Sequence, residues 1–156
     1  MAQLTYRNFD IEIGPVRTDG YPVAILNSPG GQTRGFLALP NDLDQFEREL
    51  AELDAAMFDD PSAGAVVLAQ RVGAQLFDAL LSGGLRSTYD VARSVTREAG
   101  EGLRIKLRVN APELATLPWE FLFDQRRGAF VALSRYTPLV RYAEVAAPDR
   151  PLAVTS

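Results

Sequence analysis

The chain has 156 residues and a formal charge of −4, with 47% hydrophobic and 23% charged residues, a length and balance that suit one folded domain and exclude two large independent ones. It contains neither Cys nor His, which removes disulfide scaffolds, thiol redox motifs, cysteine nucleophiles, Ser-His and Cys-His pairs, Cys or His metal sites and imidazole pH switching. Carboxylates, Ser/Thr, Tyr, Arg and the single lysine, Lys106, are left for chemistry.

No charged-then-apolar leader opens the sequence, and no apolar run approaches the roughly 18 residues of a membrane span. The expected location is cytoplasmic, without membrane contact. Charge is unevenly placed: from Asn41 to Asp60 eight acids face Arg48 alone, a net −7, which leaves the rest of the chain at +3. A net-acidic domain lacks the electrostatic footprint of a nucleic-acid binder, so no nucleic-acid partner is expected. Arg104, Lys106, Arg108, Arg126, Arg127, Arg135 and Arg141 read as solvated charges flanking strands.

In chain order, Leu4, Tyr6, Phe9, Ile11 and Ile13 alternate with polar residues, with a slip near Asn8 that suggests a bulge. A half-buried strand is expected there. Thr18-Asp19-Gly20 is a turn, Tyr21 to Leu26 a second strand, and Ser28-Pro29-Gly30-Gly31 a turn before a third strand through Phe36, Leu37 and Leu39. The glycines of this turn are not a phosphate loop, because no Lys-Ser/Thr pair follows them. The first forty residues therefore predict a three-stranded antiparallel meander.

Pro40 ends the strand, and Asp42 with Gln45 resembles a capping box opening a helix. Leu43, Phe46, Leu50, Leu53 and Met57, spaced 3, 4, 3 and 4, predict an amphipathic helix with its acids, Glu49 included, on the outer face. Asp59-Asp60-Pro61-Ser62 reads as a loop, without the further oxygen ligands a metal site needs. A second helix is expected over 63–81, carrying Val66, Val67, Leu76, Phe77, Leu80 and Leu81, with a left-handed cap at Gly83-Gly84. A third is expected over 86–99, using Tyr89, Ala92 and Val95. Leu103, Ile105, Leu107 and Val109 then alternate strictly with Arg104, Lys106 and Arg108, a strand with one apolar and one cationic face. Pro112 and Pro118 each start a short helical segment, Gln125 to Gly128 is a turn, and Phe130–Leu133 and Leu139–Tyr142 read as strands. Residues 148–156 read as a linker or edge strand, with Leu152-Ala153-Val154 as an unfinished apolar run.

The stretch Leu114-Ala115-Thr116-Leu117-Pro118-Trp119-Glu120-Phe121-Leu122-Phe123-Asp124 is the most distinctive. Together with Leu103 to Leu107, Phe130 to Ser134 and Pro138-Leu139-Val140-Arg141-Tyr142, it resembles the CHAT-domain family, caspase-like proteases related to separase. Gly73 to Phe77 followed by Leu80 is similar to the segment that family places upstream, and the resemblance spans roughly residues 64–154. The preceding meander looks like the amino-terminal extension of bacterial members. That family uses a His-Cys dyad placed downstream of the Pro-Leu-Val-Arg region, and this sequence has neither residue. No catalytic role carries over to any position, and what is present resembles the pseudo-protease half beside a catalytic half.

The residues that carry the resemblance also have plainer readings. Trp119, the only tryptophan, reads as a core anchor or a partner contact; Glu120 as a helix cap, a partner for an arginine, or a group that orients a basic neighbour. Glu113 and Glu120 do not form a two-carboxylate hydrolase site, because Pro118 interrupts the helix between them. Neither a Ser elbow nor a Ser-x-x-Lys pair is present.

The expectation is an α/β fold: a meander (1–40), then three helices and a mixed sheet resembling the pseudo-protease half of a caspase-like fold (41–147), then a linker toward an absent catalytic half (148–156). Pro118, Trp119, Glu120 and Arg141 are its candidate interface residues. The expected role is non-catalytic: a regulatory, scaffolding region of a bacterial CHAT-type cysteine protease, with no cofactor or metal. Its partner is a catalytic half in cis or in trans, or a second copy of itself. Truncation, cleavage fragment and separate subunit all remain open. The alternative is a stand-alone interaction module that recruits partners by strand addition.

Overall fold

A computed structural model of the chain describes residues 3–40, 42–59 and 63–143. Its strands are β1 (Tyr6–Ile13), β2 (Pro22–Asn27), β3 (Thr33–Phe36), β4 (Gly102–Val109), β5 (Phe123–Asp124), β6 (Ala129–Phe130) and β7 (Leu139–Ala143). Its helices are α1 (Leu43–Asp59), α2 (Ala63–Leu80), α3 (Gly84–Glu98) and the short α4 (Pro112–Ala115), with 3-10 turns at Trp119–Phe121 and Val131–Leu133. The fold is α/β. One mixed sheet runs β3-β2-β1-β4-β7, and β5 and β6 form a separate two-stranded hairpin.

The meander is antiparallel, and its register slips between Asp10 and Ile11, close to the expected bulge. β1 also pairs in parallel with β4 along its whole length, and β4 pairs in parallel with β7. Parallel neighbours need a long crossover, and the three large helices supply it between β1 and β4. Residue 40 therefore divides segments of sequence that share one sheet.

Alternation decides which face is buried. Phe9, Ile11, Ile13, Val23, Ile25, Leu103, Ile105, Leu107 and Val109 point inward and form one core with Phe46, Leu53, Leu76, Phe77, Leu80, Leu85 and Tyr89 of the helices. The opposite face holds Asn8, Asp10 and Glu12 of β1, Arg104, Lys106 and Arg108 of β4, Leu26, Phe36 and Tyr142, all half-buried or exposed. Its cationic row is matched by its parallel neighbour. Register sets Asn8, Asp10 and Glu12 opposite Arg104, Lys106 and Arg108. Lys106 Nζ lies 3.8 Å from Asp10 and Arg104 Nη1 3.3 Å from Asn8 Oδ1, while Arg104 and Lys106 cover the rings of Tyr6 and Tyr142.

Several expectations are corrected by tertiary packing. Of the expected 130–133 strand only Phe130 is extended, with Ala129 before it in β6; Val131–Leu133 winds into a 3-10 turn, because Val131 turns back into the core and its N–H donates to Leu122 O at 2.9 Å. Glu49 is buried rather than outward, since α2 lies against it: Arg71 Nη1 and Gln75 Nε2 donate to its carboxylate at 3.2 and 2.8 Å. Leu43, Met57, Val66 and Val67 are exposed, because the α1–α2 pair buries a narrower stripe than the pattern marks. Asp42 caps α1 through Oδ1, which accepts from Gln45 N at 3.0 Å. Gly83 has a positive φ of +56° with ψ −128°, so it is not the left-handed cap expected after the second helix but the residue that opens α3. Among the described residues no single helix is long and apolar enough to cross a membrane. Asp60 to Ser62 and the expected linker 148–156, with Leu152 to Val154, lie outside the described residues.

One glycine sets the distance between layers. A Cβ at Gly73, in the middle of α2, would lie 1.7 Å from Phe121 O and 2.8 Å from its carbonyl carbon. Gly73→Ala gains about 1 kcal/mol in helix propensity but must push two backbones apart, and overpacking of that kind costs about 3 kcal/mol or more. A fall in Tm of roughly 5–10 °C is expected by calorimetry; an unchanged or raised Tm would show that the two segments are not in contact.

Candidate functional site

The segment between β4 and β5 is built by satisfying the end of a very short helix. Pro112 starts α4 at its first turn, where a missing N–H costs nothing. The carbonyls at its far end have no helical partner and need donors from elsewhere. Leu114 O receives two, Leu117 N at 3.2 Å and the indole Nε1 of Trp119 at 2.8 Å. Ala115 O receives Arg141 Nη2 at 2.6 Å.

Pro118 precedes a 3-10 turn in which Phe121 N donates to Pro118 O and Leu122 N to Trp119 O. That turn drops the Trp119 ring into the core, where it is fully buried with its only polar atom paired, as a buried indole requires. Glu120, next in sequence, faces outward and accepts both Arg141 Nη1 contacts, at 3.2 and 2.9 Å. Arg141 therefore ties β7 to the last carbonyl of α4 and to the 3-10 turn. Glu113 is engaged elsewhere: Tyr21 Oη donates to its Oε2 at 2.5 Å, a bond that holds the Glu113 carboxyl below its ordinary range and raises the Tyr21 hydroxyl. Glu113 and Glu120 serve different partners.

Pro118, Trp119, Glu120 and Arg141 thus come together as a joint between α4, the 3-10 turn and β7. Trp119 takes the core side of that joint, while Glu120 and Arg141 form its outer rim. Among the described residues no group of three or more acidic side chains is placed to hold a metal ion.

Two surfaces flank the joint. On one side an apolar groove of about 380 Å³ lies between Met57, Val66 and Ala69 of the helical pair and Phe121, Phe130 and Leu133. Leu133 is 82% exposed; its sequence context suggested a strand residue, and only the 3-10 turn brings it out. On the other side lies the sheet face that none of the described helices covers, with hollows of about 540 Å³ beside Arg34 and Phe36 and about 230 Å³ beside Lys106, Arg108 and Tyr142. Sequence alternation signals this face; nothing local signals the groove. No protein-family model, no curated protein and no solved structure matches the chain.

Trp119→Ala leaves a large cavity and takes one of the two donors from Leu114 O, which keeps Leu117 N, so a loss of about 3–5 kcal/mol is expected in denaturant unfolding. A variant as stable as the parent would move Trp119 out of the core. At the rim, Glu120→Gln should cost no more than about 1 kcal/mol because the pair is open to water. Arg141→Met also strips the partner from Ala115 O, so its expected cost is about 1–3 kcal/mol; equal losses in the two variants would mean that the α4 contact contributes nothing.

Proposed function

We propose that this chain is the non-catalytic, scaffolding and regulatory region of a CHAT-type caspase-like cysteine protease. It packs against a catalytic half, in cis or in trans, that supplies the Cys and His missing from its own sequence. The reading makes the chain a cytoplasmic partner protein without peptidase activity or cofactor.

The observation that carries it is the state of the sheet. Among the described residues β1, β4 and β7 run parallel, β7 is the last strand of the sheet order, and helices bury one face only. Parallel strands are normally covered on both faces, and an edge strand offers a row of unpaired N–H and C=O groups to another strand. A second α/β half that continues the sheet beyond β7 pairs that edge and can bring helices to the open face. The resemblance of the Pro118-Trp119-Glu120 and Pro138 to Tyr142 segments names the class of that half.

The test uses the purified chain with the His- and Cys-bearing half encoded downstream of it or in a neighbouring gene. Alone, the chain is expected to cleave nothing in a peptide library. On mixing, the amides of Leu139–Ala143 should slow at least tenfold in hydrogen exchange, and the complex should persist at about 1 M salt, where charge screening acts within about 3 Å. Turnover by the chain alone would overturn the non-catalytic reading. Unchanged β7 exchange in the presence of the protease half would overturn the partnership and leave a self-associating or stand-alone module.

A further inference from the structure

Across α3 from the joint, donors outnumber acceptors. Tyr89 and Arg93 are four residues apart on α3 and so share a face, and both are buried, with 2% and 7% of their surfaces exposed. The Tyr89 ring stacks edge-on against Phe9 and Phe77 at 5.5 and 5.8 Å. The turn between β5 and β6 lies on the same side of the helix: Arg126 Nη1 reaches Asp90 Oδ2 at 3.2 Å, and Asp124 and Arg127 act electrostatically on both Tyr89 and Arg93.

Asp124 and Asp90, the carboxylates that face this turn, are already engaged. Asp124, itself buried, accepts Arg126 N at Oδ1 (3.1 Å) and forms an ion pair with Arg127 Nε through Oδ2 (3.4 Å). Asp90 holds Arg86 Nε at 3.4 Å as well as Arg126. Arg93 forms no direct ion pair among the described residues, Asp124 acting on it only at longer range, and its Nε is buried without any partner. A buried guanidinium left this way is expensive, and its planar fork is made for a two-oxygen acceptor. Desolvation accordingly lowers the Arg93 pKa, and the neighbouring Arg127 and Arg97 lower it further, while Tyr89 and Asp124 act in the opposite direction. The seam is open at its outer edge, where the Arg127 side chain is 42% exposed and Arg97 lies in solvent.

We propose that the seam between α3 and the β5–β6 turn is an oxyanion site, in which the Arg93 guanidinium, supported by Arg127 and the Tyr89 hydroxyl, receives one phosphate or carboxylate group. The bound group supplies the acceptor that Arg93 lacks and offsets the mutual repulsion of Arg93, Arg97 and Arg127. This site does not depend on the protease reading above, and either can fail without the other.

The full chain labelled with ¹⁵N is titrated with inorganic phosphate, and separately with acetate, against sodium chloride at matched ionic strength. The Arg93 Nε–H signal and Tm are followed together. The expected result is a saturable shift of that signal with a rise in Tm, at least tenfold weaker in Arg93→Met and unaltered in Glu120→Gln. A response to phosphate alone assigns a phosphoryl ligand, and one to acetate alone or to both assigns carboxylate recognition; each supports an oxyanion site. Equal effects from chloride, or an Arg93→Met protein that titrates like the parent, would overturn it. If Arg93→Met does not fold, the parent titration decides: no saturable Arg93 shift with either oxyanion overturns the site.

Discussion

The close approach of α2 to the backbone of Phe121, possible only because residue 73 has no side chain, fixes where everything between β4 and β7 can go. It places the 3-10 turn directly on the helix, which commits Trp119 to the core. Once the indole is inside, its N–H must find an acceptor, and the unpaired end of α4 provides Leu114 O. The next carbonyl, Ala115 O, is left to Arg141. A steric constraint at one glycine thereby passes through two hydrogen-bond requirements to the edge strand of the sheet.

The sheet itself is asymmetric in a way that its chemistry explains. Its buried face is a continuous apolar layer, whereas its open face works through pairs: Asp10 with Lys106, Asn8 with Arg104, and tyrosine rings under both cations. Cross-strand pairs of this kind are worth only a few tenths of a kcal/mol each, yet they neutralise a row that would otherwise repel itself along β4. The open face is consequently neither strongly cationic nor apolar. Such a surface can remain in water alone and can also be covered without stranding unpaired charge, which a polar interface needs.

How much of this was legible before the structure follows from the range of each interaction. Strand alternation, the heptad-like spacing of α1, the Pro starts of α4 and the 3-10 turn, and the glycine turns are local, and the elements lie close to where residue types put them. The parallel pairing of β1 with β4 is not local: nothing in Tyr6 to Ile13 distinguishes a meander edge from a sheet centre. Glu49 carries the pattern of an outer-face acid until Arg71 and Gln75 are brought beside it. Leu133 fails for the opposite reason, because its apolar context suggested burial while the backbone turns it outward. At the joint, residue types and the family resemblance together picked out Trp119, Glu120 and Arg141. The pairing of Glu120 with an arginine was among the sequence readings, but the choice of Arg141 and its second bond to Ala115 O come from tertiary structure.

Arg141 also gives the edge strand a means of being felt elsewhere. Its side chain reaches past the sheet, with a double contact to Glu120 and a single one to the end of α4. Its position along β7 is set by the ladder with β4, so a strand added on the side of β7 away from β4 that shifts or stiffens that ladder must also act on the guanidinium. The 3-10 turn is held on its far side by Gly73 and in its centre by Trp119, which leaves the outer rim at Glu120 as the part free to respond. Glu120 is also a rim residue of the apolar groove. The sheet edge and the groove are therefore joined by a single ion pair open to water, the weakest contact in the chain of constraints that begins at Gly73 and the one at which pairing on the edge has the least resistance to overcome.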